Sequence, residues 1–176
     1  INMVINKWLH EKILAWEIEL QEELNIDVKN LDYVLQDGLF DKVTTRFENH
    51  NTLLKEKILN SLDLELIKEK LPEYQEIDIK IFKDTPGFKL WPHSDRINHR
   101  AFIMINLIDN VDSTTFYDHT DKYLCTASNK KNKGVFHLLH QGNPTQHAIE
   151  NTSQKDRYTA IAFFKSSKPL ISGCCP

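Results

Sequence analysis

Hydrophobic positions at Leu9, Ile13, Trp16, Leu20 and Leu24 are separated by steps of four, three, four and four. Such steps place one apolar stripe along a helix, so residues 6–24 are predicted to form an amphipathic helix packed on a sheet. A partner-binding helix is the alternative reading. Leu54, Ile58 and Leu62 lie four apart and Pro72 ends the pattern, which predicts a second helical region over 50–71. Between the two, "NLDYVLQDGLFDKV" shows no clear period.

After Pro72 the period changes. "EIDIKIF" alternates Ile77, Ile79 and Ile81 with Asp78 and Lys80, the signature of a half-buried strand. "FKLWPHSD", "RAFIMINLI", "TTFYDH", "GVFHLLH", "TQHAIEN" and "RYTAIAFFK" follow as further strands. Turn-rich pieces separate them: "DNVDS", "SNKKNKG", "QGNP" and "NTSQKD". The expected fold class is α+β: a sandwich or barrel with N-terminal helices packed on one sheet. One domain is expected over 1–176, with 1–75 as mainly helical support, 76–165 as the β core and 166–176 as a tail.

Composition narrows the function. Net charge is −3, which disfavours a dedicated nucleic-acid binder. No apolar run reaches the roughly 18–20 residues of a membrane span, and "INMVINKWLHEKI" lacks the basic-then-apolar layout of a leader. Three cysteines, Cys125 and the adjacent Cys174 and Cys175, make no disulfide framework. A reducing, cytoplasmic compartment is expected, with Cys174 and Cys175 in a loose tail.

Candidate chemistry sits in "GFKLWPHSDRINHRAFIMINL". On a strand, residues i and i+2 share a face, so His93 and Asp95 point the same way and can hold a divalent metal. His147, 52 residues after Asp95, is the best third ligand. Two histidines and one carboxylate form a facial triad that leaves coordination positions open, suited to iron(II) and oxygen chemistry. Arg157 follows ten residues after His147, at the head of the apolar "RYTAIAFF". A guanidinium buried there needs an anion. Thr159 shares its face, and the two together suit a substrate carboxylate. A dicarboxylic 2-oxo acid would fit both the metal and Arg157.

The string His93-x-Asp95, His147, Arg157 and Thr159 resembles the iron(II)- and 2-oxoglutarate-dependent oxygenase superfamily over residues 76–165. "GVFHLLHQGNPTQHAIENTSQKDRYTAIAFF" resembles that family's C-terminal block, and "STTFYD" after "INLIDNVD" is similar to its hydroxylase branch. Prolyl-hydroxylase relatives often carry "GGeT" where this chain has "DSTTF", so the branch stays open. The resemblance implies a double-stranded β-helix (jelly-roll, cupin-like) core. It also implies Fe(II), 2-oxoglutarate and O2 as cofactor and co-substrates, and hydroxylation of an unactivated C–H bond with succinate and CO2 as co-products. The substrate is expected to be a peptidyl side chain or a free amino acid. A nucleobase is disfavoured by the acidic balance. The alternatives are a cupin-like metal-binding isomerase or small-molecule sensor, which would not need Arg157, and an interaction domain with a vestigial site.

Several other residues carry expectations. Asn106 shares a face with Phe102 and Met104, and either binds the oxo acid or substrate or marks the wet end of its strand. His137 and His140 are read as packing or substrate contacts rather than spare ligands, and His99 and His119 as solvated. Trp91 and Phe88 are read as core, Tyr117 and Asp118 as substrate contacts at the mouth, and residues 128–134 as a solvated basic turn.

Overall fold

The computed structural model describes residues 3–36 and 45–169. In chain order the elements are β1 (Met3–Trp8), β2 (Ala15–Leu20), β3 (Val34–Leu35), β4 (Arg46–Asn49), α1 (Thr52–Ser61), α2 (Leu64–Lys70), β5 (Glu76–Asp84), β6 (Lys89–His93), β7 (His99–Asn106), β8 (Thr115–Asp118), β9 (Tyr123–Thr126), β10 (Lys133–Leu138), β11 (Thr145–Glu150) and β12 (Arg157–Lys165). They form an eight-stranded sheet, ordered β1-β2-β10-β7-β12-β5-β4-β3, and a four-stranded sheet, ordered β6-β11-β8-β9. Every pairing is antiparallel.

The expected helix over 6–24 is a hairpin, β1 paired with β2 at Met3↔Leu20 and Ile5↔Ile18. The reason lies in the spacing. A step of four is one helical turn, but it is also two strand repeats. Only the step of three from Ile13 to Trp16 separates the two periods, and it straddles the start of β2. Trp16, Ile18 and Leu20 alternate with Glu17 and Glu19, and Ile18 pairs across to Gly134 of β10. An available sheet edge decided between two patterns of equal local merit. The N-terminal part is therefore strand as well as helix, and among the described residues the expected mainly helical support is corrected to two short α-helices and one 3-10 turn, Val28–Asn30.

Those helices fall within 50–71. Asn51 caps α1 by accepting from the Leu53 and Leu54 amides, and Asp63 caps α2 by accepting from the Leu66 amide. Ile58 and Ile67 turn inward into the larger core.

The large sheet is buried on both faces. Ala101, Ile103 and Ile105 join Phe136, Ala160 and Phe164 in the larger core. The alternate residues Phe102 and Met104 join Val135, Phe116 and Leu139 in a second core, with Phe116 contributed by the small sheet. That double burial explains why "RAFIMINLI" is continuously apolar. All seven extended segments predicted after Pro72 contain strands; β9 was not foreseen. Cys174 and Cys175 lie outside the described residues. Among the described residues Cys125 is a free thiol, and burial pushes its pKa up to about 11, which makes it a poor nucleophile. No helix among them is long and apolar enough to cross a membrane.

Gly134 lets three strands meet. It pairs with Ile18 on one side and Ile105 on the other, and a Cβ there would lie 1.7 Å from the Met104 carbonyl oxygen. Gly134→Ala must displace a central strand and is expected to cost about 1–3 kcal/mol. A lower urea midpoint checks this; an unchanged midpoint would show that β7 and β10 can part freely.

Candidate metal centre

His93 ends β6 and His147 lies in the middle of β11, and the two residues are direct cross-strand partners. Between them and the next pair, Ile149↔Leu90, the ladder slips by one residue at Trp91–Pro92. The slip lets Leu90 and His93, three apart, both line the interior cavity. Pro92 is tolerated because β6 is an edge strand. Asp95 lies just beyond the strand rather than on it, and Ser94 anchors the segment by donating to the Thr145 carbonyl at 3.0 Å.

The three side chains converge. Asp95 Oδ1 is 3.3 Å from His147 Nε2 and 3.5 Å from His93 Nε2. The donor atoms of the group all lie within 4.8 Å of one another. Two donors each about 2.1 Å from one ion, at right angles, stand about 3 Å apart, so little movement is needed to accept a metal. His93 Nδ1 lies 2.6 Å from the Trp91 carbonyl. An Nδ1–H donated there keeps Nε2 turned to Asp95, where it would become a metal ligand on giving up its proton. Asp95 Oδ2 is buried without a hydrogen-bond partner. Imidazole, imidazole and carboxylate, with an orphaned oxygen among them, fit a divalent cation.

The electrostatics agree. Burial pushes the Asp95 carboxyl up, but hydrogen bonds from His147 and then His93 outweigh it and hold it well below the usual carboxylate range. The hydrogen bond to Asp95 raises His93, against burial. Asp95 is thus anionic at neutral pH.

The cavity beyond the cluster is narrow, about 80 Å³, well below the roughly 300–1,000 Å³ of sites for drug-sized ligands. Phe102, Met104, Ile161 and Phe163 supply apolar walls, and Arg46 and Arg157 also line it. Arg157 is 2% exposed. Its Nη1 donates to Asp84 Oδ2 at 3.0 Å and its Nε to the Asp112 carbonyl at 3.2 Å, while Nη2 is buried without a partner. Burial lowers its pKa to about 10, with Asp84 opposing, so it is charged at neutral pH. Thr159 is fully buried one pleat further along β12, its Oγ1 also without a partner.

Asn106 is engaged elsewhere. Its Nδ2 donates to the Ser128 and Lys133 carbonyls at 2.7 and 2.9 Å, and its Oδ1 accepts from Asn110 at 3.0 Å. It fastens the loop at 128–133 to β7. Tyr117 packs edge-on against Tyr123, and Tyr117 lines a groove shared with Trp91 and Glu150 rather than the metal-side cavity. Asp118 accepts from Thr120 and Lys122 within its own turn. Trp91, expected in the core, is 64% exposed beneath Lys89, whereas Phe88 is fully buried. His119 is exposed, but His99 is half-buried against Phe163, with ring centroids 4.8 Å apart.

Sequence reasoning missed Arg46 and Asp84. Asp84 faces Arg157 on one neighbouring strand and Arg46 on the other. A charge at the paired ends of two strands, Asp84 closing β5 and Arg157 opening β12, was the available signal.

His137 packs as expected, against Phe102 and Phe116, with Nδ1 3.1 Å from the Leu14 carbonyl. Burial, then the nearby His147, lowers its pKa to about 4. Its folded value lies below the ordinary imidazole value near 6.5, so stability is full above about 6.5 and is lost as pH falls toward 4, by up to about 3 kcal/mol. His137→Gln should remove that part of the slope in urea denaturation between pH 7.5 and 4.5; an unchanged slope would assign the acid loss to other groups.

No sequence family and no curated protein matches this chain. Solved structures do. A prolyl-4-hydroxylase from Pseudomonas putida superposes with a TM-score of 0.57 at 12% identity, covering 74% of this chain and 74% of that one. An oxidoreductase of the 2OG-Fe(II) oxygenase family from Burkholderia pseudomallei superposes with a TM-score of 0.57 at 11% identity, covering 86% and 85%. The chain has a jelly-roll fold. At these identities the fold is what is shared.

Proposed function

We propose that this jelly-roll protein is an iron(II)- and 2-oxoglutarate-dependent oxygenase that hydroxylates an unactivated C–H bond of a peptidyl side chain or free amino acid. One observation carries the reading: the His93, Asp95 and His147 donors open into the same cavity as two buried arginines. A metal-binding isomerase or sensor on the same scaffold would have no use for that cationic floor.

His93, Asp95 and His147 would hold the iron, which supplies the redox chemistry that activates O2. The remaining work belongs to the chain. The Trp91 carbonyl fixes the tautomer and plane of His93. Arg157 Nη2 and Thr159 Oγ1, both lacking partners, offer donors to the far carboxylate of the oxo acid. Phe102, Met104, Ile161 and Phe163 keep water from the reacting atoms. The reaction balances as R–H, O2 and 2-oxoglutarate giving R–OH, succinate and CO2, with one oxygen atom in each of the first two products.

The test is succinate release and O2 uptake by protein reconstituted anaerobically with iron(II), then given 2-oxoglutarate and candidate peptides or amino acids. Substrate gaining one oxygen by mass spectrometry identifies the target. Absence of both succinate and O2 uptake would favour the isomerase or sensor. Arg157→Ala is expected to raise the 2-oxoglutarate requirement by an order of magnitude or two, from about 1.5–3 kcal/mol for one charge-assisted contact, with little change in the iron requirement. An unchanged oxo acid requirement would remove Arg157 from this role.

A further inference from the structure

Arg46, Asp84 and Arg157 form a row across three strands, β4, β5 and β12, each directly opposite the next. Asp84 is fully buried, and the arginines are 5% and 2% exposed. Arg46 grips the carboxylate with Nε at 2.6 Å and Nη2 at 2.9 Å, and Arg157 shares Oδ2 at 3.0 Å. The Arg46 guanidinium is also held by rings, its Cζ 3.9 Å from the Phe82 centroid and 4.4 Å from that of Phe88.

The row carries two positive charges and one negative. The neighbouring Glu48 has its own cation in Lys80, at 3.7 Å, and so does not cancel the excess. Asp112 is half-buried and its carboxylate accepts from the Thr152 amide and hydroxyl, so its charge is only a minor influence on Arg157. Within the row one buried positive charge is therefore in excess, with Arg157 Nη2 and Thr159 Oγ1 still unpartnered, while Asp95, the other anion lining the cavity, stands with His93 and His147. Unbalanced buried charge is costly unless an anion joins it. Take Arg46 away and Asp84 with Arg157 make a neutral pair, with no net attraction for an anion.

We infer that Arg46 is a specificity residue: it supplies the excess charge that makes this floor select an oxo acid with a second, far carboxylate, while Asp84 holds both guanidiniums in place. This rests on the function proposed above. Arg157 alone would give a donor without net charge; the pair of arginines around one carboxylate gives both.

The experiment is calorimetric binding of 2-oxoglutarate and of 2-oxobutyrate, which lacks the far carboxylate, to the Mn(II)-loaded chain without oxygen. The wild-type protein is expected to prefer 2-oxoglutarate by ten- to a hundredfold. Arg46→Gln should reduce that preference about tenfold and leave 2-oxobutyrate affinity within twofold. Arg46→Lys, which keeps the charge but cannot grip Asp84 with two nitrogens, should retain most of the preference, and it carries the test if Arg46→Gln loses its cooperative melt. A wild-type preference in Arg46→Gln, or loss of the preference in a folded Arg46→Lys, would overturn the inference while leaving the proposed function standing. Equal weakening of both acids in Arg46→Gln would also overturn it, by assigning Arg46 to the scaffold. A wild-type protein that distinguishes neither acid would overturn the proposed function itself, and the inference with it.

Discussion

Asp95→Ala is expected to lower metal-dependent oxo acid turnover by at least about a hundredfold while leaving a folded protein. The expectation follows from where the carboxylate stands. Its Oδ1 is the point at which the two imidazoles meet, 3.3 and 3.5 Å away. Without it the cavity keeps two neutral ligands and loses the only anion among the three donors. Disturbing even a group that merely orients a ligand costs about ten- to a hundredfold in affinity or activity; removing a ligand costs more. The fold should survive, because neither core cluster includes Asp95. Metal content after dialysis, succinate release and a thermal melt measure the three parts separately. Wild-type metal content with wild-type turnover would remove Asp95 from the centre. Loss of the melt would make it a structural residue instead.

Asp84→Ala is expected to produce the largest loss of stability, about 3–5 kcal/mol, because it strands two buried guanidiniums at once. That is a large part of the 5–15 kcal/mol that holds a domain together. The effect should be asymmetric. Arg46→Gln leaves Asp84 with Arg157 and should cost less, whereas Asp84→Asn keeps the shape of the side chain but still strands both charges. Urea denaturation of the three variants tests this order. A loss below about 1 kcal/mol in Asp84→Ala would mean that water or an anion already screens the row.

The candidate metal ligands could be picked out by residue type and spacing, but strand geometry supplied only part of that, since Asp95 lies beyond β6 and does not share a strand face with His93. His93 and His147 lie on strands whose edges were marked by "TPG", "QGNP" and "NTSQKD", and their types admit few other readings together. The second arginine could not be read in this way. "TTRFENH" offers no period, and its link to Asp84 exists only once β4 pairs with β5. The N-terminal hairpin failed for the opposite reason: its spacing suited two structures, and the choice was made by Gly134 and the strand around it. Tyr123–Thr126 escaped notice because a four-residue, half-exposed edge strand shows neither a run nor an alternation. Asn106 was left between a ligand contact and the wet end of its strand, but it is fully buried and three hydrogen bonds to the 110 and 128–133 region take up its amide.

The one-residue slip in β6 has a consequence for how this centre tolerates change. Trp91 and Pro92 together stand opposite a single position of the adjoining strand, so shortening the chain there by one unit would leave His93 aimed at the cavity. The candidate ligand is thereby decoupled from the outer surface: the exposed Trp91 side chain can be exchanged without turning the His93 ring away, because only its backbone carbonyl holds that ring.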